Sequence, residues 1–373
     1  MKFIYGFFAG FCLVQTAMAM PDVAFDGTVT ESLTVKTPQS FNKTMVKTSN
    51  GHEKKIALLK VKLSPNANQS IQKHVQEAVM QNAPSISNNP QKLPSKVQLG
   101  MNTVPVLDQG MHGSCATFAS TAAVDAVLGE VDPYMGHGDY ISQLCLLTLG
   151  QYIENNSYGA SGWEGQMPEK ILDRMQEFGI ISQKNQQTQG CAGLTDYPRD
   201  DFTIPQNQMT LQDYREQSEQ LDDEAYYTWS SLLSTYQFLF HEKDMMALQT
   251  EVKTALNEGD RLVIGFFLPL IEGVGALGHF HEANDAWVVT PHLLKIIGAP
   301  LFYLNGWAGH AIIITGYDDD AVAVDKEGRE HKGLFTLRNS WGPEAGDKGD
   351  YYMSYDYFRA LTMDVIRIRT LVP

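Results

Sequence analysis

Side chains that together support nucleophilic acyl transfer are spread over distant parts of this 373-residue chain. Cys115 follows Ser114, a residue suited to a helix N-cap, and the dipole and unpaired N–H groups of a helix start favour a thiolate. His310 opens an apolar, strand-like run, and Asn339 stands beside Trp341. An imidazole can take the thiol proton and protonate a leaving amine, while an asparagine orients the ring. Singly, such a cysteine or histidine is more often a core residue; together they predict covalent catalysis.

Further blocks around these residues resemble the papain-like cysteine peptidases, over about residues 93–358. The matching blocks are residues 104–110, 142–144, 162–167, 170–180, 309–317, 337–342 and 349–353. Because they occur in the family's order, their coincidence is informative. The resemblance implies an α+β fold with two lobes, a helical lobe and a β-barrel-like lobe, and the hydrolysis of peptide bonds.

The resemblance also implies roles for single residues. Cys115 would be the nucleophile, His310 the general base and acid, and Asn339 the residue that orients the imidazole. Gln109, six residues before the cysteine, would bind the oxyanion with the backbone N–H of Cys115. Trp341 would shield the His310–Asn339 hydrogen bond from water. The expected substrate-binding residues are Gly162, Trp163, Gly165 and Trp341.

Several positions depart from the family pattern. A family cysteine is replaced by His112, and the aromatic residue after the nucleophile by Ala116, which reshapes the floor of the cleft. If Cys115 is catalytic, Cys145 and Cys191 remain as a possible disulfide. The histidine lies 195 residues after the nucleophile, against roughly 130–150 in the family. An insertion at about residues 199–249, forming a lid or a partner surface, would explain the surplus.

The chain begins like an exported protein. Lys2 precedes an apolar run over residues 3–14, and Ala17 and Ala19 define a cleavage site after residue 19. The run is shorter than a membrane span, so we expect a signal peptide, no stable membrane anchor, and secretion to the periplasm or the medium. Export leaves three cysteines, and an odd, reactive thiol is consistent with a catalytic one.

Charge divides the chain into a basic and an acidic part. The net charge is −15, which argues against nucleic acid as a partner. Residues 20–93 nevertheless carry 9 Lys/Arg against 5 Asp/Glu. This segment predicts strands at 28–35 and 55–63 and a helix at 68–81, unlike the family's usual propeptide. We interpret it as an atypical inhibitory propeptide held on an acidic body; a permanent accessory domain is the alternative.

The body, residues 94–373, divides into a helical lobe at about 94–198, the insertion, and a β lobe at about 250–373. Helices are predicted at 115–128, ended by Gly129, and at 169–178, ended by Gly179, with helical patterning at 226–240. Predicted strands cover residues 262–267, 311–316, 333–337 and 364–368.

The expected protein is a monomeric peptidase acting on polypeptides, without cofactor or metal. His279, His281 and Glu282 lack further ligands nearby that would make a metal site. Two alternatives stay open. One is a non-catalytic binding protein on the same scaffold, and the other is an acyl transferase that uses the same cysteine and histidine.

Overall fold

The computed structural model describes residues 22–35, 51–80, 93–131, 139–157, 160–219, 227–241, 243–299 and 306–370. The predicted signal peptide and its cleavage site lie outside these ranges. Within them helices and strands are mixed in one α+β fold, which confirms the predicted fold class. None of the helices in the described ranges is long and apolar enough to cross a membrane.

The basic N-terminal segment forms a hairpin and a helix, as the sequence predicts. Its elements are β1 (Val23–Val35), β2 (His52–Leu63) and α1 (Pro65–Met80). β1 and β2 pair antiparallel, with Val35 opposite His52 and Val23 opposite Leu63. Both strands and the helix extend a few residues beyond the predicted bounds, because pairing and packing stabilise residues that the local pattern leaves undecided.

Helices dominate the first part of the body. After the short β3 (Lys96–Gln98), they are α2 (Cys115–Val131), α3 (Gln143–Asn156), α4 (Pro168–Phe178), α5 (Gln183–Gln189) and α6 (Leu211–Gln217). Gly179 ends α4 at φ +80°, as predicted. The prediction that Gly129 ends α2 is wrong, since the helix continues to Val131. Burial of α2 outweighs the roughly 1 kcal/mol cost of a helical glycine.

Strands dominate the second part. Its elements are β4 (Tyr227–Leu233), α7 (Thr235–Phe240), α8 (Met245–Asn257), β5 (Arg261–Pro269), a 3₁₀ turn (Glu272–Gly275), β6 (Gly278–His279), β7 (Ala286–Trp287), α9 (Pro291–Ile297), β8 (Trp307–Asp325), β9 (Glu330–Arg338), β10 (Asp350–Ser354), α10 (Tyr355–Leu361) and β11 (Thr362–Thr370). The sheet runs β4-β11-β5-β8-β6-β7-β10-β9. Because β9 also pairs with β8, five strands close into a small barrel, as predicted for this lobe.

The helix expected over residues 226–240 is wrong for its first half. β4 (Tyr227–Leu233) is a strand that pairs antiparallel with β11, and only Thr235–Phe240 is helical. A short apolar run can satisfy either periodicity, and here the open edge of β11 decides. Ser234 caps α7 with a reciprocal pair of hydrogen bonds to Gln237, which fixes the point where strand changes to helix.

Two apolar cores lie on either side of the sheet. One packs α2, α3 and α4 against Val263, Ala311 and Ile313. The other joins the β lobe to the N-terminal segment, whose contribution consists of Leu33, Val35, Ile56, Leu58, Val61, Leu63, Ala67, Ile71, Val75 and Ala78. Burial of these apolar side chains is therefore the main attachment of the segment to the body.

A cluster of ion pairs also links the segment to the body. Lys54 forms ion pairs with two carboxylates of the body, Asp108 and Glu344. Lys60 and Lys62 instead pair with Asp26 of the segment itself. Lys54 thus carries part of the predicted attraction between a basic segment and an acidic body.

The helical lobe is cross-linked. A disulfide joins Cys145 of α3 to Cys191, closing a separation of 46 residues, as the sequence predicts. The helix that carries Cys145 begins at Ser142, whose hydroxyl accepts a hydrogen bond from the Cys145 backbone N–H. Cys115 is a free, buried cysteine.

Candidate active site

Cys115 is the first residue of α2, so its thiol lies at the positive end of a long helix. The backbone N–H groups of Ala311, Ala116 and Cys115 lower the pKa of this thiol. Burial has the larger effect and raises the pKa of the thiol to about 11. The N–H groups suited to a thiolate are in place, but in this state the thiol is neutral at pH 7.

His310 lies in β8, directly before Ala311, whose N–H lowers the pKa of the thiol. Its Nε2 is 2.9 Å from Oδ1 of Asn339, an oxygen that also accepts the Ser340 N–H at 2.8 Å. Nε2 therefore donates, which leaves Nδ1 able to accept a proton. Nδ1 is buried without a hydrogen-bond partner among the described residues. Burial lowers the pKa of His310 to about 4, although the Asn339 hydrogen bond opposes this shift.

Trp341 covers the histidine, as predicted. Its ring stacks on that of His310 with centroids 4.6 Å apart, and it is fully buried. It therefore excludes water from the His310–Asn339 hydrogen bond, which is stronger in a dry environment.

The side chain of Gln109 is held in one orientation. Its Oε1 accepts a hydrogen bond from Ser340 Oγ at 2.8 Å, so its amino group must point the other way. Nε2 donates to the carbonyl oxygens of His112 at 2.9 Å and of Ala57 at 3.2 Å. Ala57 belongs to β2 of the N-terminal segment. A segment carbonyl thus occupies the donor that would bind an oxyanion.

β2 fills the cleft around this point. It pairs with β8 beside the histidine, with Leu59 opposite Gly309. The Leu59 side chain lies on Gly165, where a Cβ atom would come within 2.3 Å of it. Gly165, predicted to bind substrate, therefore contacts the segment strand that occupies the cleft.

Two other residues predicted to bind substrate lie deeper. Trp163 is fully buried, stacked on Tyr197 and edge-on to His112, so in this state it supports the loop, and its substrate contact stays a prediction. Gly162 faces the interior, where a Cβ would lie 3.2 Å from side chains of Leu147 and Thr117. Of the three residues predicted for this loop, Gly165 is the one that contacts the segment strand.

Tyr197, which the sequence did not predict, supports the loop that precedes Cys115. Its hydroxyl donates to the carbonyl of Gln109 at 2.9 Å and lies 2.9 Å from Ser114 Oγ. The next residues continue the contact, because the carbonyls of Pro198 and Arg199 accept hydrogen bonds from the His112 ring and the Met111 N–H. No local pattern marks this role, since Tyr197 meets the loop only through the tertiary fold.

Tyr197→Phe is expected to lower kcat of the active protein about tenfold with KM nearly unchanged, because one hydrogen bond that orients the loop is lost while the ring stack remains. Steady-state kinetics on a peptide substrate measure this split. Tyr214→Phe is the matched control, since that buried hydroxyl bonds the carbonyl of Gly179. Equal losses of kcat in the two variants would contradict a positioning role for Tyr197.

No group of three or more His, Cys, Asp or Glu side chains that could hold a metal ion occurs within the described ranges. His281, considered above for a metal, bonds Asp347 at 2.7 Å, and Tyr352 lies 2.9 Å from the same ring nitrogen. These contacts give the histidine a structural role at the turn before β7.

Comparison with known proteins points to one family. The Peptidase C1-like family matches residues 298–373, a range that contains His310 and Asn339 and does not reach Cys115. Over this range the chain resembles the C1-like peptidases, in agreement with the papain-like family that the order of its motifs predicts. No curated protein sequence gives a significant match.

Cysteine proteases and their proforms are among the solved structures similar to the chain. Xylellain, a cysteine protease from Xylella fastidiosa, is 20% identical, with 76% of this chain and 91% of that chain covered and a TM-score of 0.46. Procathepsin B S9 from Trypanosoma congolense is 14% identical, with coverages of 75% and 78% and a TM-score of 0.46. Digestive procathepsin L 3 from Tenebrio molitor is 17% identical, with coverages of 81% and 78% and a TM-score of 0.42.

Proposed function

We propose that this protein is a secreted cysteine peptidase made as a zymogen. The observation that carries the proposal is the His310 ring, which donates through Nε2 to Asn339 and keeps Nδ1 without a partner among the described residues. His310 directly precedes Ala311, whose backbone N–H lowers the pKa of the Cys115 thiol. This is the arrangement that thiol deprotonation requires.

The reaction follows from these positions. His310 Nδ1 takes the thiol proton, and the sulfur of Cys115 attacks the carbonyl carbon of a peptide bond. The oxyanion receives the Gln109 Nε2–H and the Cys115 backbone N–H. Imidazolium then protonates the leaving amine as the C–N bond breaks, which leaves a thioester. Water, deprotonated by the same imidazole, hydrolyses the thioester and restores the thiol.

The zymogen proposal is supported by the segment in the cleft. The Ala57 carbonyl bonds the Gln109 amide, and pairing of β2 with β8 covers the strand that carries His310. A polypeptide substrate needs the same amide donor, so the segment and a substrate exclude each other. The signal-like sequence at residues 1–19 supports secretion.

Incubation of the precursor at mildly acid pH, with N-terminal sequencing and casein hydrolysis followed in parallel, tests the proposal. We expect a new N-terminus near residue 93 to appear together with casein hydrolysis. An active protein that keeps residues 20–93 would refute the zymogen. Labelling of Cys115 by a peptide epoxide without casein hydrolysis would favour the acyl transferase, and absence of labelling would favour a binding protein.

Activation is expected to be acid-dependent through His74 of α1. Its Nε2 donates to the carbonyl of Phe238 at 2.7 Å, and its ring stacks on the same residue at 4.4 Å. Burial lowers the pKa of the docked histidine from 6.5. The docked segment therefore binds fewer protons than the released one, so docking is strongest above pH 6.5 and weakens as the pH falls.

His74→Gln keeps a hydrogen-bond donor without this titration and should flatten the pH dependence of activation between pH 7 and 5. The expected loss is up to about tenfold per pH unit. Activation rates at a series of pH values measure it, with His52→Gln, an exposed histidine of the same segment, as the control. A separate cavity lies beside His74. The charged and titratable side chains that line this cavity are Lys73, Glu77, His241, Lys243, Asp244 and Arg359. An unchanged slope in His74→Gln would assign the acid dependence to another group.

A further inference from the structure

Two carboxylates of the body form ion pairs with the same lysine of the segment. The Lys54 Nζ lies 2.6 Å from Asp108 Oδ2 and 2.6 Å from Glu344 Oε1. The three side chains are only 13%, 14% and 21% exposed. Arg199 also approaches Asp108, with Nη1 3.7 Å from Oδ2, but is itself half exposed. Lys54 is therefore the cation that sits between both acids.

The backbone leaves room for this cation. Gly342 adopts φ +84°, and a Cβ there would lie 2.7 Å from the Lys54 Nζ. Any other residue at position 342 would meet both backbone strain and the ammonium group. The site is thus shaped for a long basic side chain as well as charged for one.

The position of the acids relative to the thiol follows from Trp341. This residue stacks on His310, and its backbone forms a bridge with Asp108. Glu344 follows three residues later. Because His310 protonates the leaving amine, the acids lie on the leaving-group side of the scissile bond. Leu59, which lies in β2 on the other side of Ala57 from Lys54, contacts Gly165 and Gly309 instead.

We propose that Asp108 and Glu344 form a subsite for a lysine or arginine on the leaving-group side of the polypeptide substrate, and that Lys54 occupies this subsite in the precursor. The inference rests on the proposed function, because the subsite opens only when the segment leaves. Departure of Lys54 leaves two largely buried carboxylates together, with the exposed Arg199 still near Asp108, and a basic substrate side chain would replace the lost shared cation.

The strand geometry indicates which substrate position is read. Lys54 is three residues from Ala57, whose carbonyl marks the oxyanion donor. Three residues of extended chain span about 10 Å. A basic residue two or three positions beyond the scissile bond would therefore reach the acids, whereas one directly after the bond would lie too close to the thiol.

The test uses the processed wild-type enzyme and fluorogenic peptides in which lysine or norleucine is placed at each of the four positions after the scissile bond. Lysine at the second or third position should raise kcat/KM about tenfold over norleucine, as expected for one partly buried ion pair. Glu344→Gln should abolish this preference, so that lysine and norleucine peptides have equal kcat/KM. Glu344→Asp should retain part of it, and Glu216→Gln, an acid on α6, should retain all of it.

Equal kcat/KM for lysine and norleucine peptides at every position, in an enzyme that still cleaves them, would overturn the subsite and leave the peptidase proposal intact. Preference retained in both Glu344→Gln and Asp108→Asn would also overturn it. Failure of the processed protein to cleave any peptide or casein would instead overturn the proposed function and the subsite with it.

Discussion

Cys115→Ala is expected to lower kcat on peptide substrates by roughly 10⁶-fold, the scale on which loss of a catalytic nucleophile is felt in acyl-transfer enzymes. The backbone N–H groups of Cys115, Ala116 and Ala311 lower the pKa of the Cys115 thiol, and His310 directly precedes Ala311 in β8. Without the Cys115 sulfur, no thioester can form. Fluorogenic peptide hydrolysis by the variant, processed with immobilised wild-type enzyme, measures the loss.

His310→Ala, alone and combined with Cys115→Ala, tests whether the two residues act together. If the cysteine and the histidine act as a unit, the double variant should be no slower than either single one. The unfolding temperature of Cys115→Ala should stay within a few degrees of the wild type, since only one sulfur atom is removed from the start of α2. Residual activity above about 1% of wild type would exclude Cys115 as the nucleophile.

The residues of the candidate site were predictable because each sits in a local pattern with its own physical reason. Cys115 starts a helix after a polar residue, and His310 lies at the edge of an apolar strand. Neither local pattern shows that Cys115 and His310 come close in space. That expectation comes from the order of the motifs along the chain. In the structure, the backbone N–H of the residue after His310 lowers the pKa of the Cys115 thiol.

Other features depend on partners that lie far away in the chain. β8 continues to Asp325, well beyond the predicted residues 311–316, because β9 pairs with its second half. The three aspartates that follow Tyr317 lie within β8, at an irregularity in its register with β9. The local sequence alone would predict a turn there. Likewise, the pattern of β2 predicts a strand but not that β8 is its partner, or that Ala57 meets Gln109.

Release of the N-terminal segment is expected to raise the rate of Cys115 alkylation by iodoacetamide at pH 7 about a hundredfold. In the precursor, burial raises the pKa of the thiol to about 11 and lowers that of His310 to about 4, so both groups are neutral. Water entering the opened cleft removes much of that penalty, while the N–H groups around the sulfur remain. Cysteines in such settings have pKa values of roughly 3.5–7.5.

The hundredfold figure allows for chemistry that opposes the gain. A pKa drop of about four units raises the thiolate fraction at pH 7 by more than a thousandfold, and the lower basicity of the sulfur reduces its nucleophilicity by roughly 40- to 100-fold. The pH profile separates the two states. The precursor should react faster with each step of pH toward 11, whereas the processed enzyme should reach a plateau near neutrality.

His310→Ala in the processed enzyme should shift the plateau back toward the ordinary cysteine range of about 8.5, since the imidazolium partner is lost. Lys54→Ala in the precursor should give an intermediate alkylation rate, because it loosens the segment next to the cleft without removing it. If precursor and processed enzyme react equally fast, the body alone buries the thiol. Residues 20–93 would then be a permanent accessory domain, and β2 a strand of the mature fold.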